Sequence, residues 1–291
     1  LAGGGRPAGG GGASLEKSPG FFFDVPACRI MRAMTYLVAA GKASIETIAE
    51  GEGPLVVILP SRGRGAEDYG EVARGLAQAG YRVLRTQPRG IGRSTGPMQG
   101  LTLHDLARDV AAVIRHEGGP AIVVGHAFGN WVARMTAADH PQLVRGVAIL
   151  AAAAKSYPKA LADAVTKCAD TSLPGAERLK YLRFAFFAPG HDASAWLEGF
   201  HPEVNASQRA AGLATPQEEW WGAGGAPLLD LQAEHDAFRP RETANDLREE
   251  LGERVTVSVV PDAGHALVPE QPEAVVAALL AWMQSLPEKR S

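Results

Sequence analysis

Residues 121–131 read Ala121-Ile122-Val123-Val124-Gly125-His126-Ala127-Phe128-Gly129-Asn130-Trp131. The opening apolar run suits a strand buried on both faces. Asn130-Trp131-Val132-Ala133-Arg134-Met135 then predicts a helix. Gly125 and Gly129 flank a single central residue, the spacing of a sharp, strained turn with no room for side chains on either side. In the G-x-S-x-G pattern such a strand–turn–helix junction presents its central residue as a nucleophile. Here the central residue is Ala127, which carries a methyl group and no oxygen.

Outward from this junction, strand and helix patterns alternate. Upstream lie two short strands, Thr35–Val38 and Ser44–Ile48, and a continuous apolar run from Pro54 to Pro60. A helix pattern over Asp68–Ala79 ends at Gly80 and leads to a strand at Tyr81–Leu84. A second helix spans Leu103 to His116, with Leu106, Val110, Val113 and Ile114 at helical spacing. Downstream comes Val147–Leu150, and strands resume at Pro227–Gln232 and Val255–Val260 before a last helix, Glu273–Met283. Apolar strands alternating with helices predict a mostly parallel sheet of the α/β class, covered on both faces.

The alternation stops near residue 153. From there to residue 225 the chain reads as helical and irregular, broken at Pro174, Pro189-Gly190 and Pro202. About half of all the aromatic residues fall in this quarter of the chain, Tyr157, Phe187, Trp196 and Trp221 among them. A small helical subdomain needs such residues for its own core, and a lid over an apolar pocket needs them as lining. Residues 153–225 are therefore expected to form a helical cap, inserted into a core made of residues 31–152 and 226–291.

Composition excludes several classes. The 291 residues carry 29 basic and 32 acidic side chains, so no nucleic acid or anionic membrane is expected as a partner. Cys28 and Cys168 lie far apart and outside any C-x-x-C pair, which argues against a disulfide scaffold or zinc site and fits a reducing, cytoplasmic setting. No apolar run approaches the roughly 18 residues of a membrane helix. Neither a metal nor a cofactor is expected. Residues 1–13 are mostly Gly, Ala and Pro, and residues 1–30 are read as a disordered leader ahead of Met31 and Met34.

Ligand sites of open α/β sheets lie at the carboxyl ends of the parallel strands. Two loops share that end with the 125–129 turn: Gln232-Ala233-Glu234-His235-Asp236 and Pro261-Asp262-Ala263-Gly264-His265. His265 has the chemistry of a general base and Asp236 that of the carboxylate that orients it. Glu234 and His235 compete for the role of Asp236, whereas Asp262 reads as a turn residue.

From about residue 36 to 286 the chain resembles the α/β-hydrolase superfamily, in its capped, esterase- and epoxide-hydrolase-like group. The order turn, Asp236, His265 is that of the family's triad. Arg89-Gly90-Ile91-Gly92-Arg93-Ser94 is similar to its R-G-x-G-x-S loop, and Gly264-His265 followed by Glu270-Gln271-Pro272 to its G-H…E-x-P ending. Asp236 sits at the position of the acid in the family's G-x-x-D, with Ala233 in place of the glycine. The resemblance implies an eight-stranded, mostly parallel sheet with the cap after the sixth strand, and it places Ala127 at the nucleophile position. It makes His126 a supporting residue. It also implies an oxyanion hole built from the N–H groups of Arg62 and Phe128, although Pro60-Ser61-Arg62-Gly63 stands where the family commonly has His-Gly. Ser61 brings a hydroxyl close to this region, either as a turn residue or toward substrate, and Trp131 joins Tyr157, Phe187, Trp196 and Trp221 as expected substrate contacts.

Three readings of Ala127 stay open at this point. It is an introduced replacement of serine or aspartate; or it is native in a binding protein without catalysis; or it is native in a site where His265 and Asp236 activate water. The substrate class expected is a small, mainly apolar ester or other carbonyl compound, bound by a monomer or homodimer.

Overall fold

Residues 33–287 are described by the computed structural model; the leader expected over residues 1–30 and Cys28 within it lie outside this range. Eight strands form one sheet: β1 (Met34–Ala40), β2 (Ala43–Glu50), β3 (Leu55–Leu59), β4 (Arg82–Thr86), β5 (Ala121–His126), β6 (Val144–Leu150), β7 (Leu228–Ala233) and β8 (Val255–Val260). Their order is β1-β2-β4-β3-β5-β6-β7-β8. β1–β2 and β2–β4 are antiparallel, and every pair from β4 onward is parallel.

Among the described residues ten α-helices accompany the sheet: α1 (Gly70–Gln78), α2 (Leu103–His116), α3 (Phe128–Asp139), α4 (Lys159–Ala169), α5 (Gly175–Ala185), α6 (Pro202–Leu213), α7 (Gln217–Trp220), α8 (Asp246–Leu251), α9 (Leu267–Glu270) and α10 (Pro272–Ser285). The unbroken apolar runs divide between two layers because successive strand residues point to opposite faces. Val57, Leu59 and Val123 join Val110 of α2 and Val132 of α3 on one side. Val56, Ile58, Ile122 and Val124 join Leu76 of α1 and Leu279 of α10 on the other. A run apolar at every position is thus what a sheet covered twice requires.

Helices α4–α7 all lie between β6 and β7. Part of this segment has its own apolar core, in which Leu161, Cys168, Leu182 and Trp196 pack together with Phe238 and Ala266 from the β7 and β8 loops. The segment is therefore seated on the carboxyl ends of the strands, where the expected functional loops lie. None of the helices among the described residues is long and apolar enough to cross a membrane.

Candidate active site

The junction at Ala127 is strained in the way its glycines foretell. Ala127 has φ 48° and ψ −112°, between the end of β5 and the first residue of α3. A non-glycine residue at positive φ costs of order 1–3 kcal/mol and persists only where its surroundings fix it. A Cβ on Gly125 would stand 2.3 Å from the Gly129 carbonyl oxygen, and one on Gly129 would stand 2.4 Å from that of Leu59. The two glycines therefore let α3 start directly against β3 and β5. Phe128 opens α3, so its N–H has no acceptor within the helix. Asn130 reinforces the turn, its Nδ2 donating to the Ala127 carbonyl.

Asp236 and His265 meet across the ends of β7 and β8. His265 Nδ1 lies 3.0 Å from each Asp236 carboxylate oxygen, and both side chains are buried. Asp236 is held in turn by the Phe238 N–H, which donates to Oδ1 at 2.9 Å. With Nδ1 donating to a carboxylate, Nε2 is left as the basic nitrogen. Phe238 and Phe186 flank the imidazole at ring-centroid distances of 4.3 and 5.5 Å. Glu234 and His235 point to solvent instead, and Asp262 occupies a turn at φ 49°.

A second buried chain of hydrogen bonds ties three loops behind the site. Ser61 N–H donates to Tyr69 Oη at 2.8 Å, Tyr69 Oη lies 2.8 Å from His126 Nδ1, and His126 Nε2 lies 2.7 Å from the His265 carbonyl oxygen. A carbonyl only accepts, so His126 carries its proton on Nε2, and its Nδ1 accepts a hydrogen bond from the Tyr69 hydroxyl. Burial pushes His126 down to about 3, and the neighbouring His265 adds to the effect. His126 is thus a neutral link between the β3, β5 and β8 loops, and it faces the back of His265.

One cavity, of about 60 Å³, brings Ser61, Arg62, Ala127, Phe128, Trp131, Tyr157 and His265 together. Arg62 and Phe128, the residues expected to supply oxyanion N–H groups, both line it. Ser61 is at once a turn residue, its carbonyl accepting from Arg64 N–H at 3.1 Å, and part of the lining. Asn130, Phe186 and Phe238 also line the cavity and were not expected from the sequence. Phe238 had a usable signal, since it follows Asp236 by two residues; Phe186 had none beyond its place in an aromatic-rich segment.

Phe187, Trp196 and Trp221 do not line this cavity, which corrects the expectation for them. Trp196 is buried beneath the Arg64 guanidinium, 4.8 Å from its ring, with Phe187 packed edge-on against it. Trp221 lies by α3, with Arg134 4.5 Å from its ring and its Nε1 donating to Glu250 at 2.8 Å. Aromatic density marks a segment that needs a core and a docking face, but it does not distinguish which residues face a ligand. Among the described residues no group of three His, Cys, Asp or Glu side chains is placed to share a metal ion.

The motifs outside the cavity are structural. Arg89 makes a two-pronged pair with Asp109 of α2 at 2.7 and 2.9 Å, while Ser94 Oγ donates to the Gln87 carbonyl and accepts from Glu46 N–H. Glu270 accepts from the N–H groups of Gly264 and Ala188 at 2.7 and 2.6 Å, which fastens the His265 loop to the segment after α5.

A family model described as "Alpha/beta hydrolase family" matches residues 56–278. The protein named "Putative carbamate hydrolase RutD" of Variovorax paradoxus (strain S110) is 28% identical over 235 residues, which are 76% of this chain and 88% of that one. The 2-(acetamidomethylene)succinate hydrolase of Mesorhizobium japonicum (strain LMG 29417 / CECT 9101 / MAFF 303099) is 30% identical over 111 residues, 38% of this chain and 40% of that one. Among solved structures, E-2-(acetamidomethylene)succinate hydrolase superposes with a TM-score of 0.73 at 22% identity, over 87% of this chain and 100% of that chain.

Proposed function

The chain belongs to the alpha/beta hydrolase family, and from that premise we propose that its cavity binds a small, mainly apolar ester or other carbonyl compound for hydrolysis by the His265–Asp236 pair. The observation that carries this reading is the 3.0 Å pairing of His265 Nδ1 with Asp236, with His265 lining the cavity that Ala127, Arg62 and Phe128 also line. The hydrolases among its relatives support the reaction class. With a methyl group at 127, no side chain there supplies an attacking oxygen, so water takes that part. His265 Nε2 removes a proton from water as its oxygen bonds to the carbonyl carbon. The oxyanion that forms is bound by the N–H groups of Phe128 and Arg62. Collapse of this intermediate breaks the bond to the leaving oxygen, which takes the proton back from Nε2. Asp236 holds the ring in the required tautomer and stabilises its transient positive charge.

Without the covalent step such a site retains only roughly 10³–10⁴-fold acceleration over water. A reactive ester, thioester or lactone suits it better than an unactivated amide. The second reading is a small-molecule-binding protein of the same fold, favoured by the absence of any oxygen on residue 127.

Turnover of a panel of p-nitrophenyl esters by the unmodified chain, Ala127→Ser, and each of these with His265→Ala separates the readings. Hydrolysis by the unmodified chain that His265→Ala removes is the expected result. Ala127→Ser is expected to raise the rate at least about 10²-fold, again dependent on His265. Activity in Ala127→Ser alone places the triad geometry but assigns the unmodified chain to binding. Absence of turnover in every variant overturns the hydrolytic reading.

A further inference from the structure

Arg62 lines the cavity with a guanidinium that is left without a partner. Among the described residues no carboxylate pairs with it and no acceptor takes a hydrogen bond from it; its Nε is fully enclosed and unbonded. Arg64, two residues later, shows how the fold treats a buried guanidinium it uses structurally. Asp68 takes its Nε and Nη2 at 2.6 and 2.8 Å, the carbonyls of Trp196 and Glu198 take Nη1, and Phe200 lies 4.5 Å away under the charge. Arg89 is likewise matched by Asp109.

The groups that act on the Arg62 charge are Tyr157, Cys168 of α4 and Arg209 of α6, and none of them is a carboxylate. Burial pushes the Cys168 thiol up to about 12, so it brings no compensating charge. The cavity lining itself contains no acidic side chain. Asp236 stands behind His265 and is committed to it. Asp170, on the rim of the neighbouring cleft between α4 and α6, is occupied by Ser172 at 2.6 and 3.0 Å. Arginine does not shed its proton in proteins, so the charge remains. A half-buried cation whose Nε is enclosed and that has no counter-charge has as its natural complement an anion brought by a ligand.

We propose that Arg62 binds a carboxylate on the substrate, so that the cavity takes a small ester or other carbonyl compound carrying one free carboxylate. The assignment rests on the reading of this cavity as the substrate site, and it adds a charged end to a substrate whose other contacts are apolar. The Arg62 side chain and its N–H then act separately, the first on the carboxylate and the second on the carbonyl oxygen. A single guanidinium balances a single negative charge, which suits a carboxylate over a phosphate dianion. The exposed Arg209, at the mouth of the adjoining α4–α6 cleft, adds attraction for the same sign of charge.

Calorimetric titration of the unmodified chain with monomethyl half-esters of short dicarboxylic acids, their dimethyl esters and matched phosphonates tests this assignment. The half-ester of best-fitting length is expected to bind about tenfold tighter, or more, than its neutral diester. In Arg62→Gln this preference disappears, and in Arg62→Lys part of it returns. Equal affinity for half-ester and diester, binding of neither, tighter binding of the phosphonate, or a preference intact in Arg62→Gln each overturns the proposal. Because heat and not turnover is read, failure of the hydrolysis experiment sinks the catalytic reading while leaving this result to stand or fall separately.

Discussion

At the scale of single residues, His126 shows how one buried ring ties together the loops behind a cavity that it does not line. Its value of about 3, against an ordinary 6.5, means that the folded chain binds one proton fewer than the unfolded chain between those limits. Stability from this group is fully present above pH 6.5 and is lost as pH falls through the window toward 3. Over that window the unmodified chain should lose up to about 1.4 kcal/mol per pH unit from His126. Urea denaturation of the unmodified chain and His126→Gln between pH 7 and pH 4 checks this. The variant should start less stable and show a shallower fall with acid; parallel curves would show that the ring does not carry the dependence. The histidine itself was visible in the G-H-x-x-G stretch, as were Ala127, Asp236 and His265, because turn chemistry and chain order mark them. Tyr69 and Asn130 were not. Their roles depend on which side of a helix turn meets a loop some sixty residues away or a carbonyl three residues back, and spacing alone holds no such information.

At the scale of elements, the placement of Asp236 depends on how its loop is tied to β7. Arg239, three residues after Asp236, pairs with Asp230 in the middle of β7 at 2.9 Å, with both side chains excluded from water. It also donates to the carbonyls of Thr243 and Ala152, so one guanidinium holds the β7 loop, its continuation and the exit of β6 together. Burial raises the Asp230 carboxyl above its ordinary value, and Arg239 is the strongest influence pulling it back. Arg239→Met should therefore cost about 3–5 kcal/mol, because it strands a buried carboxylate rather than removing a balanced pair. Chemical denaturation measures it, and a loss below about 1 kcal/mol would show that Asp230 finds compensation from Gln232 and Arg134 alone. The strands were legible because continuous apolar runs leave few alternatives. β1 and β2 pair antiparallel across a short turn, whereas each strand from β3 to β7 reaches the next through a helix, as a parallel arrangement requires. The aromatics of the β6–β7 segment were legible only in bulk: Tyr157 faces the cavity, whereas Trp196 and Trp221 pack against arginines and Phe187 against Trp196. A helix with polar and apolar residues scattered around it, such as α5, does not announce its inner face.

At the scale of the whole molecule, the segment between β6 and β7 and the sheet act as one body at the His265 loop, and Glu270 is the pin. Its carboxylate takes Ala188 N–H from the segment and Gly264 N–H from the loop, while Ala266 N–H donates to the Phe186 carbonyl at 2.8 Å beside it. Phe186 then lies edge-on against the His265 ring. The His265 ring is thereby positioned by a wall that belongs to a different part of the chain, and the cavity is lined by the same contact. Glu270→Ala leaves two enclosed N–H groups unpaired, at about 1–3 kcal/mol each. The loss should be local first, since the two sheet layers above and below do not depend on this carboxylate. Hydrogen exchange resolves the two cases. Faster exchange at Ala188, Gly264 and Ala266, with β5 and β6 amides protected as before, means that the segment lifts from the loop while the sheet holds. Uniformly faster exchange across β5 and β6 would instead show that segment and sheet unfold as one cooperative unit. In the first case ligand affinity should weaken at unchanged global stability, because Phe186 and His265 no longer share a fixed wall.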